Sequence, residues 1–198
     1  MFALWMFGRI LEQVWGSRRF FIYYMVTGLG AVTIHLLVNY LHISAIQNDA
    51  MAMLNTPSPD AFAAFVTRHF PEYYDQVYAQ FLDKWYLFPN SPVYADQAAE
   101  YTRQLIALQQ GIPTVGASGA VYGVLLAFGV LFPNTILMLL FPPIPIKAKW
   151  MVIIYGGLEL YLGLTQPGSS IAHFAHLGGM IFGFILIKLW QRRTDVFY

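Results

Sequence analysis

The stretch FFIYYMVTGLGAVTIHLLVNYL, Phe20 to Leu41, runs for 22 residues without a charge. As a helix that length crosses a hydrocarbon core of about 30 Å, so it reads as a membrane span. Two further uncharged runs follow, Val115 to Phe132 and Ile171 to Ile187, the second interrupted only by His173 and His176. Both are rich in Gly and Ala, which membrane helices use for close packing. Trp150 to Leu164 is apolar apart from Glu159, and the prolines of Phe141-Pro-Pro-Ile-Pro-Ile146 break any helix before it. A span is therefore expected to begin near Lys149. Met1 to Trp15 is apolar around Arg9 and Glu12 and reads as the lower part of a span. Around these segments the whole chain has 198 residues, 58% hydrophobic and 11% charged, well below the quarter or so of charged residues usual in soluble domains. The expected fold class is all-α, a polytopic membrane helix bundle with a helical extracytoplasmic insertion.

A net charge of +1 gives no electrostatic footprint for nucleic acid, and the absence of cysteine excludes thiolate nucleophiles, iron–sulfur clusters and cysteine zinc sites. Arg9, Arg18, Arg19, Lys147, Lys149, Lys188, Arg192 and Arg193 fall in alternate connections or the tail, which places those connections and the C-terminus in the cytoplasm. The segment from His42 to Pro113 is then extracytoplasmic. Its acidic residues, with Pro57, Pro59, Pro71, Pro89 and Pro92 as punctuation, make it too polar to cross a membrane, while Phe62, Phe65, Val66 and Phe70, and then Tyr74, Val77, Tyr78, Phe81 and Trp85, recur at helical spacing. Short amphipathic helices follow, lying at the interface or packed into a cap of their own. The expected organisation is 1–42, the insertion 43–113, the last three spans 114–190 and a tail 191–198.

Two motifs carry candidate chemistry. Gly116-Ala117-Ser118-Gly119 opens one span, with Tyr122 and Gly123 beyond it. A serine among small residues at a helix start has an accessible hydroxyl and free amides nearby, although Gly119 with Gly123 also fits simple helix packing. Ala175-His176-Leu177-Gly178-Gly179, then Gly183, lies in the last span. Starting outside near Ser170, that span puts His176 about 9 Å below the outer surface at 1.5 Å per residue. Ser118 lies just inside the outer end of its own span, so the two share a depth. Gly179 and Gly183 let the last span approach the Ser118 span within the reach a Ser/His pair requires.

Gly116-Ala-Ser118-Gly-Ala-Val-Tyr122-Gly with Ala-His176-Leu-Gly-Gly and Gly183 resembles the signature of the rhomboid family of intramembrane serine proteases. Phe7-Gly8-Arg9, Leu11-Glu12 and Gly16-Ser17-Arg18-Arg19-Phe20 resemble the end of that family's second span and the loop after it. The likeness covers 1 to about 42 and 114 to 190. It implies Ser118 as nucleophile, His176 as general base, a dyad with no acidic third member, and Tyr122 as the aromatic packed on the imidazole. Gly116 and Gly119 would serve the oxyanion site, and Gly123, Gly179 and Gly183 helix packing. Substrates are implied to be transmembrane proteins with a locally unstable helix and small residues near the cut, in a lipid bilayer, for a multi-pass protein of a bacterial cell membrane. No cofactor or metal is implied. The family's His-x-x-x-Asn motif would stand directly before Met1, so the sequence as given implies a chain short of its first span and an impaired protease. Two other readings are a non-catalytic rhomboid-like protein that binds transmembrane clients, and a small transporter with His173, His176 and Glu159 as a proton path.

His35-Leu-Leu-Val-Asn39 matches His-x-x-x-Asn but belongs to the following span, and reads as a polar pair satisfied near the interface. His173 and His176 lack a third ligand in the sequence, which argues against a metal site. Glu159 is expected to be buried, protonated or hydrogen-bonded. The insertion, next to the candidate site in the outward topology, is expected to shape substrate access.

Overall fold

The computed structural model describes residues 2–110, 117–138, 144–165 and 170–194. It confirms an all-α helix bundle, and the chain forms two compact units, residues 1–39 with 114–198, and residues 40–113. Helices α1 (Phe2–Trp15) and α2 (Ser17–Asn55) are joined by Gly16 alone. Its φ of 76° is a left-handed conformation that suits glycine after a helix end, and its amide still donates to Glu12 O at 2.8 Å.

The second unit holds the end of α2 together with α3 (Pro59–His69), α4 (Tyr74–Val77), α5 (Asp83–Leu87) and α6 (Pro92–Gln110). Ser58 starts α3 by accepting the Ala61 amide at 3.1 Å, with Pro59 preset for the first turn. Asp49 on α2 holds the end of α3, taking His69 Nε2 at 2.8 Å and Arg68 Nη1 at 3.1 Å. The aromatic stripe packs inward: Phe62, Phe81 and Trp85 are buried together, Phe62 meeting Phe81 edge-on at 5.5 Å. Tyr78, expected on that stripe, is 42% exposed. A π-helical turn, Tyr78–Leu82, joins α4 to α5 and shifts the register, so that Leu82, rather than Tyr78, is buried beside the expected Phe81. Burial, with the Asp60 carboxylate accepting its hydroxyl at 2.9 Å, pushes the Tyr86 phenol up to about 12.

The first unit is completed by α7 (Ala117–Leu131), strands β1 (Ile136–Met138) and β2 (Pro145–Lys147), α8 (Ala148–Thr165) and α9 (Ser170–Thr194). The strands pair antiparallel, Leu137 opposite Ile146, an addition to the helices expected from sequence. Of the prolines expected to break a helix there, Pro145 lies in β2, and Pro142 and Pro143 lie outside the described residues. Helix α7 is buried over most of its surface, from Gly119 and Ala120 to Phe128 and Gly129, because small residues let its neighbours approach on several sides. Phe7 of α1 packs on Phe128 at 4.7 Å, and Tyr23 of α2 donates its hydroxyl to Gly123 O at 2.8 Å. Among the described residues, α2 and the 172–191 part of α9 are long and apolar enough to cross a membrane, fewer than the four spans expected, while α7 is a shorter apolar helix.

Candidate functional site

Ser118 is the second residue of α7 and is half-buried, whereas Gly116 lies outside the described residues. The next residue, Gly119, is where three helices meet. A Cβ on Gly119 would overlap the Ala31 side chain of α2 and come within 3.1 Å of the Ala175 carbonyl oxygen of α9. A Cβ on Gly179 would in turn overlap the Gly119 carbonyl. Here α7 and α9 touch backbone to backbone, with Ser118 and His176 each next to a residue of that contact. Gly123 gives its space to Thr27 of α2. Gly183, expected to face the Ser118 helix, instead makes room for the Tyr23 ring and hydroxyl of α2. That hydroxyl must reach the Gly123 carbonyl, and any side chain at Gly183 would block it.

One turn along α7, the Tyr122 ring stacks on the His176 imidazole, with centroids 4.1 Å apart and planes 9° from parallel. The i to i+4 step puts Tyr122 on the face of Ser118. The Tyr122 hydroxyl donates to Glu159 Oε1. His173 Nδ1 bonds the other carboxylate oxygen at 2.6 Å, and His176 Nδ1 lies 3.0 Å from that same oxygen. This His176 nitrogen is buried, and the approach lacks hydrogen-bond alignment. Glu159 comes from the inward face of α8 with Ala148, Val152 and Gly163, and its side chain is only 9% exposed.

These contacts change two sequence expectations. The imidazole expected to act without an acidic neighbour has a buried carboxylate beside Nδ1, and the histidine pair expected to lack a third ligand has Glu159 within reach. Glu159 was visible in the sequence as a lone acid in an apolar stretch. Its partners were not, because they depend on how α8 and α9 register. His35 is buried at 7% exposure, and Asn39 Oδ1 is buried with no hydrogen-bond partner among the described residues, so Asn39 departs from the satisfied pair expected.

Chemically, the arrangement holds one imidazole flat against a ring, with a carboxylate at one ring nitrogen. A carboxylate beside Nδ1 favours the tautomer that carries its proton there and leaves the lone pair on Nε2.

A family model described as the Rhomboid domain matches residues 1–48 and 93–193. The chain is 31% identical over 97 residues to Rhomboid protein 1, mitochondrial, of Saccharomyces cerevisiae, an alignment covering 49% of this chain and 28% of that protein. The chain thus spans less than a third of the length of this relative. No solved structure matches.

Proposed function

The chain belongs to the rhomboid family, and from that premise we propose that it is an intramembrane serine endopeptidase acting on other membrane-spanning proteins. Ser118 is the nucleophile and His176 the general base. As Ser118 Oγ attacks the scissile carbonyl, His176 Nε2 takes the hydroxyl proton. It returns that proton to the leaving amine as the C–N bond breaks, and then deprotonates the water that releases the acyl group. The start of α7, where helix geometry leaves amides without intrahelical acceptors, is suited to the developing oxyanion.

The observation that carries this reading is the seating of His176. Tyr122 fixes its plane, and Glu159 beside Nδ1 favours the tautomer with the proton on Nδ1 and the lone pair on Nε2. A scaffold that only held transmembrane clients would have no use for a serine and an oriented imidazole on touching helices. We place the site near the outer membrane boundary, the C-terminus in the cytoplasm and the protein in a cell membrane, following the distribution of basic residues.

Labelling intact membranes with a fluorophosphonate tests the reading. Modification is expected at Ser118 and is lost in Ser118→Ala and His176→Ala, together with cleavage of a model transmembrane substrate. Removal of either member of such a pair costs on the order of 10⁶-fold in turnover. A folded chain that neither labels nor cleaves, yet retains transmembrane clients on purification, would replace the protease reading with the binding one.

A further inference from the structure

Glu159, His173 and His176 each offer one ligand atom, and these atoms lie within 4.8 Å of one another. Hydrogen bonding does not satisfy the group fully. The carboxylate takes the Tyr122 hydroxyl on one oxygen and His173 Nδ1 on the other, while the buried His176 Nδ1 finds no aligned partner among the described residues. A buried polar atom left in that state is costly, and a cation at the point of convergence would satisfy all three groups at once.

We propose that these three side chains form a site for a divalent transition-metal ion, best suited to Zn²⁺, and that its occupation switches off His176 as a base. Two imidazole nitrogens and one carboxylate are the donor set of open zinc centres, in which a fourth position remains for water. The sequence spacing supports the set. His173 and His176 stand at i and i+3 on α9 and share a face, and Glu159 approaches from α8. Tyr122, bonded to the carboxylate oxygen that faces away from the histidines, orients that ligand as outer partners of metal sites do. The three side chains are 9 to 18% exposed, shielded but within reach of an ion.

Inhibition follows from the chemistry of imidazole. A neutral ring carries one N–H, and a metal on Nδ1 uses that nitrogen's lone pair, so the hydrogen must sit on Nε2. Nε2 then donates and cannot accept the Ser118 proton. The nitrogen that carries the ring proton beside Glu159 in the metal-free site is the one the metal claims, so metal binding moves that proton to Nε2. The inhibitory half of this inference rests on His176 being the base; the binding half does not.

The test uses the full chain in phosphatidylcholine nanodiscs, stripped of metal with a chelator and titrated with CoCl₂. Visible d–d absorption of low-coordinate Co²⁺ is expected to saturate at about one ion per chain and to bleach with Zn²⁺. His173→Gln, which can still donate to Glu159 but has no imidazole nitrogen, is expected to weaken Co²⁺ binding at least tenfold. His173→Cys should keep the band and add thiolate-to-cobalt charge transfer, a signature that requires position 173 to ligate directly. Absence of the band in the parent chain, or an unchanged titration in His173→Gln, would overturn the site. Fluorophosphonate labelling of Ser118 is expected in chelator and suppressed by Zn²⁺ in the parent but not in His173→Gln. Labelling unaffected by saturating Zn²⁺ would overturn the switch. A chain never labelled even in chelator would instead refute the proposed base, while the cobalt spectra still judge the metal site.

Discussion

In the proposed mechanism Glu159 organises the site without touching substrate. It is an acid in a helix otherwise apolar on most of its faces, and its burial is tolerated because Tyr122 and His173 each give it a hydrogen bond. Its proximity to His176 Nδ1 makes it a positioning residue. Glu159→Gln keeps the shape and removes the charge, so kcat is expected to fall on the order of 10²- to 10⁴-fold with KM unchanged. Glu159→Asp should recover part of that loss. A parallel rise in KM, or equal damage from Asp and Gln, would mean that the residue only holds the helices together. The sequence marks Ser118, His176 and Tyr122 through motif spacing, and singles out Glu159 as an oddity. It cannot pair Glu159 with His176, because the residues lie on different helices and only the packed register of α8 against α9 brings them within 3.0 Å.

At the scale of elements, the decisive contact is α7 against α9. Small-residue spacing in the sequence makes close approach legible at Gly119, Gly123, Gly179 and Gly183, but not the choice of partner. Gly123 and Gly183 both serve α2, and Gly119 and Gly179 face each other. The π-helical turn and the two-stranded ribbon are equally hidden, since each arises where local pattern yields to the packing or closure around it. The glycines also yield a contrast. A methyl on Gly179 would strike the Gly119 carbonyl, a backbone atom that cannot rotate away, whereas one on Gly157 meets nothing within 4 Å. Gly179→Ala is therefore expected to cost about 1–3 kcal/mol and to abolish Ser118 labelling by parting the two helices. Gly157→Ala on the same measurements should be neutral or gain up to about 1 kcal/mol from helix propensity. Thermal unfolding in detergent, read beside labelling, separates the two, and similar melting points for both variants would refute the close contact.

Across the whole molecule the polarity of the first unit runs opposite to that of a soluble domain. Thr27, His35 and Glu159 are buried, while Phe21, Leu29, Leu36, Ile153, Leu164 and Leu189 face outward. Large apolar side chains left exposed in this number along helices that are apolar overall suit a non-aqueous neighbour. The second unit has a core of its own, with Trp85 and Phe62 fully buried, the packing that a segment in water would need. Two exposed leucines distinguish these environments. Leu29, 63% exposed, stands near the middle of the Phe20 to Leu41 span, and Leu87, 71% exposed, belongs to the second unit. On a soluble surface, replacing either with arginine changes stability by less than about 0.5 kcal/mol. At the centre of a bilayer the same change costs about 3 kcal/mol, because the guanidinium must be drawn from water or the helix displaced. Leu29→Arg is thus expected to reduce sharply the fraction of chain retained in membranes after alkaline carbonate extraction, and Leu87→Arg to leave it unchanged. If both variants remained membrane-bound to the same extent, α2 would not face lipid at Leu29. If both were released, the second unit would itself lie against the bilayer, and its aromatic surface would take the interfacial role instead of a solvated one.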